Sequence, residues 1–158
     1  MDKSELIAAW KQVLEERLAR AERGQAEATA GTRVDGSHRP ANRGERGAVT
    51  AQGYLAHGLG QRALELAEAL RILDEVGSEP RERVVVGALV ELAEDDQPFW
   101  IAVLPGGDAS EVALGAHSIK VLSAQAPLVR ALSGREPDDE VTLALTGRQR
   151  VLEILQVL

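Results

Sequence analysis

The spacing of apolar residues changes its period once, at Pro80, and that change limits what the chain can fold into. Before it, Leu59, Ala63, Leu66, Leu70 and Leu73 follow a 4-3-4-3 rhythm. Such a rhythm lays one apolar stripe along a helix and makes a coiled-coil seam when a second helix offers the same. The second helix is found at the start of the chain. Ile7, Trp10, Leu14, Leu18 and Ala21 recur at helical spacing, with Lys11, Glu15, Glu16 and Arg20 on other faces. Asp2 and Glu5 stand three apart, the spacing of a capping box, so this helix is predicted to begin there. Continued to about residue 30, it would be on the order of 40 Å long.

The first pattern fades near Gly24, and from there to about residue 50 the chain is rich in Gly, Ala, Thr, Ser, Pro and Asn, without large apolar side chains. A tip loop of about 24–50 is therefore expected between two antiparallel helices. Gly53, Gly58 and Gly60 fall in the second helix, where each costs roughly 1 kcal/mol, so its tip half is expected to be the looser half. Gly77 reads as a C-terminal cap and residues 78–80 as a linker, closing a helical hairpin over residues 1–77.

After Pro80 the period becomes two. Val84, Val86, Ala88 and Val90 alternate as a strand, and the turn Glu94-Asp95-Asp96-Gln97-Pro98 leads into a second strand over 99–104. Pro105-Gly106-Gly107-Asp108 opens a loop, and residues 118–122 make another strand. Pro127–Leu132 fits a short helix, with proline at its start and Gly134 past its end. Two more strands, over 141–145 and 151–158, flank a turn at Thr146-Gly147. The fold class is α+β: a coiled-coil hairpin, then a small, largely antiparallel sheet domain with one short helix over 81–158.

A net charge of −7 argues against general attraction to phosphate backbones, and 3% aromatic residues are too few for a base-stacking platform. The expected partner is a protein. The absence of cysteine excludes disulfides, thiolate zinc sites and thiol nucleophiles. No run approaches the roughly 18 apolar residues of a membrane span, and the acidic start does not resemble a secretory signal, so a cytoplasmic location without membrane contact is expected. His38 and His57 lack companions at metal-ligand spacing and read as ordinary polar residues. Trp10 and Tyr54 read as helix packing rather than contact anchors.

The segment Val121-Leu122-Ser123-Ala124-Gln125-Ala126-Pro127-Leu128-Val129-Arg130-Ala131-Leu132-Ser133-Gly134, followed by Asp138-Asp139-Glu140-Val141, resembles a motif of the GreA/GreB transcription elongation factors. There a strand runs to Ser-Pro, then to a helix with Arg-Ala-Leu, a Gly, and Gly-Asp-Glu-Val. Here Asp138 stands at the glycine of the last motif, and residues are inserted before Pro127. Leu152-Glu153-Ile154-Leu155 resembles the family's closing strand, and Tyr54-Leu55-Ala56-His57-Gly58 with Gln61-Arg62 resembles the start of the second helix in divergent members. The resemblance implies an FKBP-like C-terminal domain that docks on RNA polymerase, with Pro127, Leu128, Arg130, Asp139 and Glu140 as docking candidates. It also implies a monomer whose coiled coil enters the polymerase secondary channel, touching nucleic acid only inside that complex.

In that family, two tip acids help hold a second Mg²⁺ so that the polymerase cleaves its own backtracked RNA; hard oxygen ligands suit that ion. This tip departs from the pattern. Over residues 31–50 the acids are Asp35 and Glu45, set among Arg33, Arg39, Arg43 and Arg46, and the two stand ten positions apart. Asp35, Glu45, Arg43 and Arg46 are the tip candidates, and weak or absent cleavage stimulation is expected. No intrinsic cofactor is expected; Mg²⁺ of the polymerase enters only if the two acids converge. The alternatives are a cleavage-stimulating factor, a coiled-coil adapter and an FKBP-like prolyl isomerase. The last is disfavoured because Phe99 and Trp100 point to opposite faces of one strand. The chain is thus read as an accessory factor and not as an enzyme.

Overall fold

The computed structural model describes residues 1–32, 43–145 and 147–158. Its elements are α1 (Lys3–Thr32), α2 (Arg43–Glu75), β1 (Leu89–Glu94), β2 (Gln97–Val103), β3 (Asp108–Leu114), β4 (His117–Leu122), α3 (Pro127–Leu132), β5 (Glu140–Leu145) and β6 (Arg148–Val157). Two long helices precede a sheet with one short helix, which is the α+β order read from the sequence. By contacts the chain forms two compact units, one of residues 13–68 and one of residues 1–12 with 69–158.

In the unit of residues 13–68, Leu14, Ala21, Ala28 and Leu66 are buried, while Leu18, Leu59 and Ala63 are half-buried. Small residues bring the helices close. A Cβ added to Gly24 would lie 3.1 Å from Leu59 Cδ1, and one on Gly60 would lie 2.6 Å from Gln25 Nε2. The expected loop of about 24–50 is too wide: α1 continues to Thr32 and α2 begins at Arg43. Gln25-Ala26-Glu27-Ala28 lacks large apolar side chains but consists of strong helix formers. Ala28 serves as a seam residue, 3% exposed, where bulk would hold the helices apart.

In the other unit, Asp2 caps α1. Its Oδ1 accepts from Ser4 N at 2.8 Å and from Ser4 Oγ at 2.6 Å, and these bonds hold the Asp2 carboxyl below its ordinary value. Leu6, Trp10 and Leu73 are fully buried; the seam at this end uses Leu6 where Ile7 was expected. Lys3 is also buried, and its Nζ donates to the carbonyl of Glu79. Burial pushes that amine below the ordinary lysine value, with Arg81 adding to the shift and Glu79 opposing it. At the end of α2, Val76 N donates to Leu73 O at 3.0 Å, and Gly77 does not take the left-handed cap conformation expected of it.

The sheet runs β3-β4-β2-β1-β6-β5, antiparallel except for the β2–β4 pair, which is parallel. One face carries Val90, Leu92, Ile101, Val103, Val141 and Ile154 in a core with Val129 and Leu132 of α3. On the other face Trp100 and Ala102 stand opposite Ile119 and Val121, all buried. Both faces are therefore covered in the middle of the sheet. Asp95 and Asp96 form the β1–β2 turn with φ of 50° and 60°, the left-handed pair a two-residue hairpin needs. The strand expected over Val84, Val86, Ala88 and Val90 begins only at Leu89. Gly87, with φ of 91°, turns the chain, and Ala88 N bonds back to Val85 O at 3.0 Å, leaving Val86 exposed. Strand β3 was not anticipated; its first half is irregular, with a break in register between Asp108 and Glu111 and Ala109 at φ 69°.

Candidate functional site

Two regions hold the residues that the sequence singled out. At the tip end of the hairpin, Arg43, Glu45 and Arg46 fall in the first turn of α2, all exposed. Glu45 complements the positive end of the helix dipole, whereas the two guanidinium groups oppose it. The two arginines therefore do not stabilise the start of the helix. Asp35 lies outside the described residues, together with Arg33, His38 and Arg39. Among the described residues no three His, Asp or Glu side chains come together as a metal site. Glu45, flanked by Arg43 and Arg46, does not by itself fit a divalent cation.

The second region surrounds α3. Pro127 occupies its first turn, where a missing N–H costs nothing, and Gly134 past its end has φ of 76°. Val129 and Leu132 bury the inner side of the helix, and Leu128 packs partly against the same core. Pro127 and Arg130 face solvent. Gly134 N donates to Val84 O and Val84 N to Arg135 O, both at 2.9 Å, so the helix is tied to the segment before β1.

Asp139 is engaged internally. Its Oδ2 accepts from Glu136 N at 3.0 Å, and its carbonyl accepts from Ile154 N at 3.0 Å. Of the five docking candidates, Pro127, Arg130 and Glu140 are exposed, while Leu128 and Asp139 also serve the fold. Glu140 stands opposite Glu153 in the β5–β6 pair. Two like charges there cost stability unless a cation approaches. Asp138 has φ of 69°, a left-handed conformation that glycine adopts without strain. This supplies the physical reason for a glycine at the matching place of the motif.

The structure also sorts the aromatic side chains in a way that periodicity did not show. Trp10 is fully buried, as expected, but Tyr54 is 76% exposed and does not pack in the seam. Phe99 sides with the core around α3, whereas Trp100 meets His117 edge to face with ring centroids 6.0 Å apart. The two aromatics thus do not converge on one pocket.

Over 88 residues the chain is 28% identical to the transcription elongation factor GreA of Alkalilimnicola ehrlichii, taking in 55% of this chain and 52% of that protein. Over that stretch the chain is similar to the Gre transcription elongation factors. It spans about half, 52%, of the length of the curated relative it matches. Among solved structures, it is similar to GreA factor homolog 1 (Gfh1) of Thermus thermophilus, with 17% identity, 93% of each chain covered and a TM-score of 0.38. Gfh1 of Thermus aquaticus shows 17% identity, coverage of 99% of this chain and 94% of that one, and a TM-score of 0.37. No protein-family model matches. Among the described residues, no helix is long and apolar enough to cross a membrane.

Proposed function

We propose that this chain is a regulator of transcription elongation that acts in the cytoplasm by binding RNA polymerase. The sheet domain docks through the exposed side of α3, and the helical hairpin enters the secondary channel. The observation that carries this reading is the likeness to GreA, joined to an exposed Pro127 and Arg130 on a helix whose other side is fixed in the core. A docking face needs side chains held in place by the fold yet open to a partner, and α3 meets both conditions.

At the tip, Glu45 stands between two arginines, which compete with a cation for its carboxylate. The chain therefore acts by occupying the channel, and it stimulates RNA cleavage weakly or not at all. It is an accessory factor on the active site of the polymerase. The docking reading is tested with the full chain and core RNA polymerase. Arg130→Glu is expected to weaken binding at least tenfold while leaving the thermal melt unchanged. Wild-type affinity in that variant would remove α3 from the interface.

A further inference from the structure

Among the described residues, one side chain holds a buried polar atom without a hydrogen-bond partner: Arg81, in the segment before β1, whose Nε–H meets no acceptor. Its guanidinium lies against the turn at Gly87, where a Cβ would stand 3.5 Å from Nη2 and 3.0 Å from Val76 Cγ1. Arg83, two residues on, has Glu136 at 2.5 Å, whereas Arg81 makes no ion pair among the described residues. The charge it does meet is a like one. Arg81 is close enough to the Lys3 ammonium to push that amine's pKa down beyond what burial does. Lys3 is 7% exposed and donates one of its three N–H groups, to the Glu79 carbonyl. The Glu79 carboxylate offsets the two cations only in part: it turns toward Gly77 and pairs with neither among the described residues. Lys3 is also the first residue of α1, where the positive end of the helix dipole adds to the same charge.

A buried donor without an acceptor costs free energy, and so do two neighbouring cations without a counter-charge. A water molecule would satisfy the donor and leave both charges as they are. An anion answers both. We propose that Lys3 and Arg81 form a binding site for a phosphate group, with Arg81 offering Nε–H to its oxygens and Lys3 supplying the second charge. Two cations call for a dianion, which phosphate supplies near neutral pH and a single carboxylate does not. A cleft of about 470 Å³, lined by Asp2, Lys3, Ser78 and Pro80 with Met1 and Leu158, reaches the amine and has room for more than the bare ion. The Asp2 carboxylate in that cleft opposes an anion; its Oδ1 is engaged by Ser4 N and Oγ, which draws off part of its charge. The whole chain carries −7, so an anion held here is held by these local groups and not by the general field.

The test titrates the full chain with inorganic phosphate, with a nucleoside diphosphate and, at matched ionic strength, with chloride, following the thermal melt and the NMR signal of Arg81 Nε. Saturable phosphate binding that moves the Nε signal and raises the melt is expected. Lys3→Met and Arg81→Met should each weaken that binding at least tenfold, while Arg83→Gln leaves it unchanged. In chloride alone, Arg81→Met should melt no lower than wild type, because it removes a donor that has no acceptor. A diphosphate held tenfold or more tighter than phosphate would assign the site to a nucleotide, and equal affinities would assign it to the free ion. Phosphate binding retained by Arg81→Met, or a chloride response as large as that to phosphate, would overturn the inference. A lower melt of Arg81→Met in chloride would overturn it too, giving Arg81 a purely structural role. None of these readouts depends on polymerase binding.

Discussion

Trp10 on α1 donates its indole Nε1–H to the carbonyl of Pro105, 2.8 Å away in the loop between β2 and β3. The ring is fully buried, so this bond satisfies an indole donor that water cannot reach, while Pro105 is half-buried. Trp10→Phe keeps most of the apolar area but removes the donor to the Pro105 carbonyl. It is expected to cost about 1–3 kcal/mol in chemical denaturation, and Trp10→Ala about 3–5 kcal/mol. A Trp10→Phe variant as stable as wild type would show that the bond carries no weight.

Two glycines are expected to respond in opposite directions to alanine. A Cβ on Gly107 would lie 2.3 Å from the backbone carbon of Leu122 and 2.6 Å from Ser123 N, where neither neighbour can yield without moving β4. Gly107→Ala should therefore lower stability by about 1–3 kcal/mol. Gly58, in α2, has nothing within 4 Å of that position. Gly58→Ala should raise the stability of the hairpin by about 1 kcal/mol through helix propensity alone. Thermal melts followed by circular dichroism read both, and a shift of the same sign in the two variants would contradict the geometry.

Asp138 holds a left-handed backbone, and its N–H donates to Ile154 O at 2.8 Å. Asp138→Gly relieves the strain and should leave stability unchanged or raise it by up to about 1 kcal/mol. Asp138→Val places a β-branched residue in a conformation it avoids and should cost about 1–2 kcal/mol. Equal melting temperatures for the two would be inconsistent with this role.

Glu94 on β1 accepts from both Nε and Nη2 of Arg150 on β6, and that hydrogen bonding holds its carboxyl below the ordinary glutamate value. A carboxyl depressed in the folded state binds fewer protons than in the unfolded chain, so stability rises with pH across the interval between the two values. Its contribution is present above the ordinary glutamate value and is lost as pH falls through the folded one. Arg150→Gln should flatten this part of the pH–stability curve, and an NMR titration should return Glu94 toward the ordinary value. An unchanged titration would contradict the pairing.

The short helix α3 was fully legible in the sequence because its limits are set locally, by Pro127 at the start and Gly134 past the end. The hairpin turn at Asp95-Asp96 was legible for the same reason. Where local pattern and backbone geometry disagree, the reading failed. Val84, Val86, Ala88 and Val90 alternate as a strand does, yet Gly87 turns the chain inside that run. Residues 25–32 lack large apolar groups and so looked like loop, although alanine and glutamate favour helix and a tight seam favours alanine. At the candidate site, periodicity reveals which residues share a face but not which face is covered. Tyr54 and Trp10 looked alike in the sequence and have opposite fates in the structure. The engagement of Asp139 by Glu136 N was also invisible, since it depends on how the turn before β5 closes.

In the function proposed above, the hairpin occupies the polymerase channel and supplies no cleaving metal site. The most direct test is RNA cleavage in a backtracked polymerase complex, with wild type, Asp35→Ala and Glu45→Ala, each also competed against a cleavage-competent Gre factor. Little or no cleavage by the wild-type chain is expected, with no change on either substitution and loss of the competitor's cleavage as the chain is added. Strong wild-type cleavage that Asp35→Ala or Glu45→Ala abolishes would contradict it.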